Sequence, residues 1–109
     1  MKNYQIGFRG AAKRDVDNLY QYLVHKFDKQ TADKVSASLK HSIERLSAMP
    51  GLGKDAAELS ELLTGYRFLP LKRNTVFYRI HNDEQLVEIL RIYDNRMDII
   101  AHLLNGRVQ

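Results

Sequence analysis

The chain has 109 residues, 44% hydrophobic and 28% charged, with a formal net charge of +4. That length and balance suit one globular domain, 1–109, with its own core, and exclude a disordered ground state. The absence of Cys excludes a thiol nucleophile, an iron–sulfur cluster and Cys-ligated zinc, and fits a cytoplasmic, reducing setting.

Tyr4, Ile6 and Phe8 alternate with Gln5, Gly7 and Arg9, a period of two that predicts a short opening strand with one apolar face. No signal-like apolar run lies in Met1–Arg9, and no stretch approaches the ~20 apolar residues that a membrane span needs. Gly10 breaks the strand and can serve as an N-cap. From Ala11 the period changes. Ala12, Val16, Leu19, Leu23 and Phe27 form one helical stripe, with Lys13, Arg14, Asp17, Asn18 and Gln21 largely outside it. Asp15 and Asp17 sit early in this helix, where its dipole favours negative charge.

Asp28–Gln30 reads as a short polar link, and Thr31 as the N-cap of a second helix. Ala32, Val35, Leu39, Ile43 and Leu46 repeat the helical spacing, so the two helices should pack as an antiparallel hairpin. Met49-Pro50-Gly51 ends the pair, because proline disfavours the α conformation before it and donates no backbone hydrogen bond. Leu52–Thr64 reads as a loop with a helical turn around Ala56–Leu63.

Tyr66–Leu71, Thr75–His81 and Leu86–Tyr93 are three runs rich in β-branched and aromatic residues. The links Lys72-Arg73-Asn74 and Asn82-Asp83-Glu84 are short and polar, which predicts an antiparallel meander. Arg96–Leu104 reads as a short closing helix that ends at Gly106. The fold class is therefore α+β: an N-terminal strand, a two-helix hairpin, a three-stranded meander and a short C-terminal helix.

The positive charge favours a polyanion or an acidic protein as partner. Arg67, Lys72, Arg73 and Arg79 fall in a stretch, 65–82, that has no acid, and Arg91 and Arg96 follow. Strict alternation groups Arg79 with Phe77 and His81, and Arg91 with Val87, Ile89 and Tyr93. Arginines sharing one sheet face could neutralise phosphates beside stacking rings. The plainer reading is that they pair with acids such as Glu88 or Asp94 on an exposed sheet. His25, His41, His81 and His102 are scattered without metal-ligand spacing, and no phosphate loop or nucleophile elbow is present.

The succession Gly65-Tyr66-Arg67, Val76-Phe77-Tyr78-Arg79-Ile80, Val87-Glu88-Ile89-Leu90-Arg91-Ile92-Tyr93 and Arg96-Met97-Asp98-Ile99 resembles toxins of the RelE/ParE superfamily, often labelled plasmid stabilisation proteins. The likeness extends back through Leu46–Gly51 to Ala12, Asp15 and the opening strand. It implies a microbial RNase-like fold and a toxin of a type II toxin–antitoxin system. It also implies growth inhibition, no metal or other cofactor, and an antitoxin whose C-terminal segment folds onto the toxin.

Two activities occur in the superfamily. ParE-like members inhibit DNA gyrase; RelE-like members cut mRNA on the ribosome with basic residues and often a C-terminal Tyr or His. For the RelE-like case the catalytic candidates are Arg67, Arg79, Arg91, Tyr93 and Arg96. Thr75 stands where many RelE-like toxins carry an arginine, Asp94 where they carry a histidine after the last strand, and the tail reads His102-Leu103-Leu104 without a tyrosine. With the long hairpin, these features lean toward ParE and gyrase. The alternatives are the ribosome-dependent endoribonuclease and a degenerate module that only binds its antitoxin.

Overall fold

A computed structural model describes residues 3–96. Strand β1 (Gln5–Phe8) leads into helix α1 (Gly10–Lys26) and helix α2 (Lys29–Ala48). Strands β2 (Lys54–Asp55), β3 (Arg67–Pro70), β4 (Asn74–His81) and β5 (Leu86–Asp94) follow. They build one sheet in the order β1-β5-β4-β3-β2, with β3, β4 and β5 as the expected antiparallel meander. The closing helix expected from Arg96 onward falls, beyond Arg96 itself, outside the described residues.

Several local expectations need correction. Arg9, not Gly10, occupies the N-cap of α1 and makes no side-chain capping bond. Asp28, not Thr31, caps α2: its carboxylate accepts the Thr31 N–H at 2.7 Å, so α2 starts at Lys29 and the link shrinks to two residues. That hydrogen bond holds the Asp28 carboxyl below its usual range. The turn expected around Ala56–Leu63 is two 3-10 turns, Ala56–Glu58 and Glu61–Leu63, preceded by the unexpected strand β2. β1 pairs with β5 in parallel, which joins the opening strand to the end of the meander.

The register of β4 against β5 shifts once. Phe77 faces Arg91 and Tyr78 faces Ile89, so Leu90 is an extra residue in β5. A bulge of this kind swaps the faces of everything beyond it. Val87 and Ile89 before it, and Ile92 after it, all enter the core under the helices. Arg91 and Tyr93 are turned to the opposite face, which overturns the grouping of Arg91 with Val87 and Ile89. Without the bulge, Arg91 would sit in the apolar layer, where an ionised group is costly.

That layer, between sheet and helices, holds Leu39, Ile43 and Leu46 of α2, Ala12 of α1, and Leu69, Val76, Tyr78, Val87, Ile89 and Ile92. Each fully buried large aliphatic there contributes about 2 kcal/mol of transfer free energy. Tyr78 is wholly buried; its hydroxyl donates to Pro50 O at 2.7 Å and accepts from Gly53 N–H at 3.0 Å. This staples the turn after α2 to the middle of the sheet. Gly53 is required there by close approach: a Cβ would lie 2.6 Å from Phe68 O and 2.7 Å from the Tyr78 hydroxyl oxygen.

Candidate functional site

The sheet face away from the helices carries a second, smaller cluster. Phe68, Phe77 and Tyr93 pack with Ala56 and Leu63 from the 3-10 turns, and Leu59 and Tyr66 lie against them. Phe77 stacks on Phe68 at 6.0 Å and meets Tyr93 edge-on at 5.8 Å. Among the described residues, the 3-10 turns cover only part of this face. Arg79, which alternates with Tyr78, lies exposed on it, its guanidinium 5.7 Å from the centre of the Tyr66 ring.

The five catalytic candidates do not share one surface. Arg67 pairs in register with Tyr78 and so points to the helix side. Its Nη2 donates to Gly53 O at 2.6 Å and Gly51 O at 3.2 Å, and its Nε is buried without a partner among the described residues. Arg67 therefore braces the same turn that Tyr78 holds. Arg91 shares the open face with Arg79 but is clamped by Asp15 of α1, donating through Nε at 2.8 Å and Nη2 at 3.0 Å. That bond raises the Arg91 pKa, and the guanidinium also lies 4.8 Å over the Tyr93 ring. Tyr93 is only 3% exposed, and burial raises its phenol pKa. Arg96 forms a two-point bond with Asp94, at 2.7 and 3.0 Å, near Tyr22 of α1; this holds the Asp94 carboxyl low and the guanidinium firmly charged.

The remaining polar groups have local roles. Thr75 is buried and donates to Asn95 Oδ1 at 2.6 Å, while Asn95 Nδ2 donates to Leu71 O at 2.7 Å, so this position ties the β3–β4 turn to the end of β5. Glu88 takes both His81, at 2.9 Å, and Arg9, at 3.3 Å. Among the described residues no group of three His, Cys, Asp or Glu side chains is placed to hold a metal. No described helix is long and apolar enough to cross a membrane.

In the sequence Asp15 stands out as an early helix acid and within the family resemblance, but not as a partner of β5. It also accepts the Ile92 N–H at 2.8 Å. β1 ends at Phe8, opposite Ile89, so among the described residues β5 beyond that point has no strand on this side, and the Asp15 carboxylate satisfies the Ile92 ladder donor. Beside this junction lies a cavity of about 620 Å³. Leu63, Tyr66, Phe77 and the bulged Leu90 give it apolar walls, and Arg9, Arg14 and Arg91 a basic rim. The spacing Val87, Ile89, Ile92 was the available signal: a step of three among steps of two marks the bulge that places Leu90 there.

Residues 6–99 match the family described as the ParE toxin of type II toxin–antitoxin system, parDE. The chain belongs to the ParE toxin family. Relatives in this family include Toxin ParE1 of Caulobacter vibrioides, 31% identical over 103 residues, which span 94% of this chain and 99% of that one. Toxin ParE1 of Mycobacterium tuberculosis is 27% identical over 93 residues, 85% of this chain and 91% of that one. The ParE fold is shared with a chain of the chromosomal ParDE system from P. aeruginosa, at a TM-score of 0.68 and 23% identity, covering 84% of this chain and 95% of that chain. A chain of the RelBE2 toxin–antitoxin complex from Mycobacterium tuberculosis aligns at a TM-score of 0.64 and 24% identity, covering 85% and 99%. The ParE family makes the protein the toxin component of a type II toxin–antitoxin system.

Proposed function

We propose that this ParE-family toxin arrests growth by docking on DNA gyrase in the cytoplasm, and that an antitoxin encoded with it keeps it silent. One observation carries the choice of a docking function over RNA cleavage. Three of the four arginines that an RNA-cutting site would draw on already have partners within the fold: Arg67 the turn carbonyls behind the sheet, Arg91 Asp15, and Arg96 Asp94; only Arg79 is left without an ion pair among the described residues. Phosphoryl-transfer catalysis needs donors aimed at the place where charge develops, free of competing partners. A docking surface needs only anchors and complementary charge. Arg79, exposed and without an ion pair among the described residues, is a suitable anchor.

The test is tightly controlled expression without antitoxin. Growth arrest with a DNA-damage response and altered plasmid supercoiling is expected. Rapid loss of translation with mRNA cut on ribosomes would assign the ribonuclease activity instead, and undisturbed growth at good expression would mark a degenerate toxin.

A further inference from the structure

We propose that the cavity between the start of α1 and the open sheet face seats an acidic segment of the antitoxin through one bulky apolar side chain. This rests on the toxin–antitoxin reading above and adds the place and chemistry of the contact.

The walls determine the anchor. Leu63, Tyr66, Phe77 and Leu90 present an apolar surface around about 620 Å³, room for a large aliphatic or aromatic side chain with its neighbours. Leu90 is available for this because the bulge removes it from the helix-side layer, leaving it only half-buried. An apolar concavity with a polar rim is the usual form of an interface hot spot.

The rim determines the charge. Arg9 and Arg91 are each offset by an acid, Glu88 and Asp15. Arg14 on the rim, and Arg79 over the Tyr66 ring beside it, have no ion pair among the described residues. They leave a positive surplus at the mouth. The first turn of α1 contains no acid, so its dipole adds to the same sign. A partner segment carrying carboxylates on either side of its apolar anchor complements this pattern.

Nucleic acid suits the cavity less well. Base stacking needs an open ring face. Here Phe77 lies between Phe68 and Tyr93, Arg91 lies over Tyr93, and Arg79 lies over Tyr66. A bound antitoxin segment would also cover Arg79, the anchor proposed for the target, so silencing follows from occlusion.

The probe is the purified protein encoded by the reading frame adjoining this chain's own. Its affinity is measured by titration calorimetry against the full chain, Arg14→Glu, Leu90→Asp and the distant control Lys40→Glu on α2, with circular dichroism to verify folding. Arg14→Glu should weaken binding about tenfold and Leu90→Asp about a hundredfold, with Lys40→Glu unchanged. Arg14 is exposed on a helix, so its variant keeps the test valid if Leu90→Asp misfolds. Unchanged antitoxin affinity in Arg14→Glu and any folded Leu90→Asp overturns the seat. So does retained antitoxin affinity with lost gyrase binding, or a duplex DNA affinity that these variants abolish. A parent chain that neither arrests growth nor binds the neighbouring protein defeats the toxin reading itself, a different result from parental binding that the variants leave intact.

Discussion

Replacing Asp15 by Ala removes the junction that joins α1 to the second half of β5. Three hydrogen bonds disappear: two from Arg91, at 2.8 and 3.0 Å, and one from the Ile92 N–H, at 2.8 Å. Ile92 is 6% exposed, so its N–H is left unsatisfied at a cost of about 2 kcal/mol. The ion pair is intermediate in burial, with side-chain exposures of 13% for Asp15 and 35% for Arg91. Its loss falls between the near-zero value of surface pairs and the larger value of buried ones, about 1 kcal/mol. The sum is about 3 kcal/mol, a fall in Tm of roughly 10–15 °C for a domain of this size. Asp15→Asn keeps an acceptor for Ile92 and should cost about half as much. Urea denaturation followed by circular dichroism measures both, and a cycle with Arg91→Ala should return a coupling of about 1 kcal/mol. A loss below about 0.5 kcal/mol in Asp15→Ala, the range of an ordinary surface change, would mean that Asp15 does not hold α1 to β5.

Gly53→Ala should destabilise by about 3 kcal/mol in the same denaturation assay, because the added Cβ meets Phe68 O and the Tyr78 hydroxyl, and the backbone oxygen cannot give way cheaply. Tyr78→Phe leaves Pro50 O and the Gly53 N–H unpaired in the interior and should cost about 2 kcal/mol, measured alongside. Burial raises the Tyr93 phenol pKa above its ordinary value near 10, so the unfolded chain ionises first. Stability should be steady below pH ~10 and fall as pH rises through the folded value; in a pH series of unfolding curves, Tyr93→Phe should lack this component. Arg79→Ala should weaken growth arrest on induction while shifting stability by less than about 0.5 kcal/mol, and full toxicity would reduce Arg79 to a solvated sheet residue.

The two helices were legible because Ala12, Leu23, Leu39, Ile43 and Leu46 repeat at helical spacing and all become buried. The meander was legible because its links are short and polar. Other features depend on contacts between distant segments. Nothing local in Gln5–Phe8 specifies a parallel partner in β5, and Asp15 meets Arg91 across 76 positions of sequence. The bulge misled the assignment of faces, since one extra residue inverts a period-two pattern. Arg67 was selected for its residue type, but Leu69 and Leu71 of the same parity belong to the core side, and Arg67 follows them there. The cavity went unseen because Arg9 and Arg14, Leu63, and Leu90 come from three separate segments.

Gyrase binding is the action proposed for this ParE-family chain, whose Arg67, Arg91 and Arg96 are held by partners within the fold. The most direct measurement adds the purified chain to DNA gyrase, ATP and relaxed plasmid, and in parallel to programmed ribosomes. Dose-dependent loss of supercoiling with intact mRNA is the expected result; unimpaired supercoiling with mRNA cleaved in the decoding site would make the protein a ribonuclease and not a gyrase inhibitor.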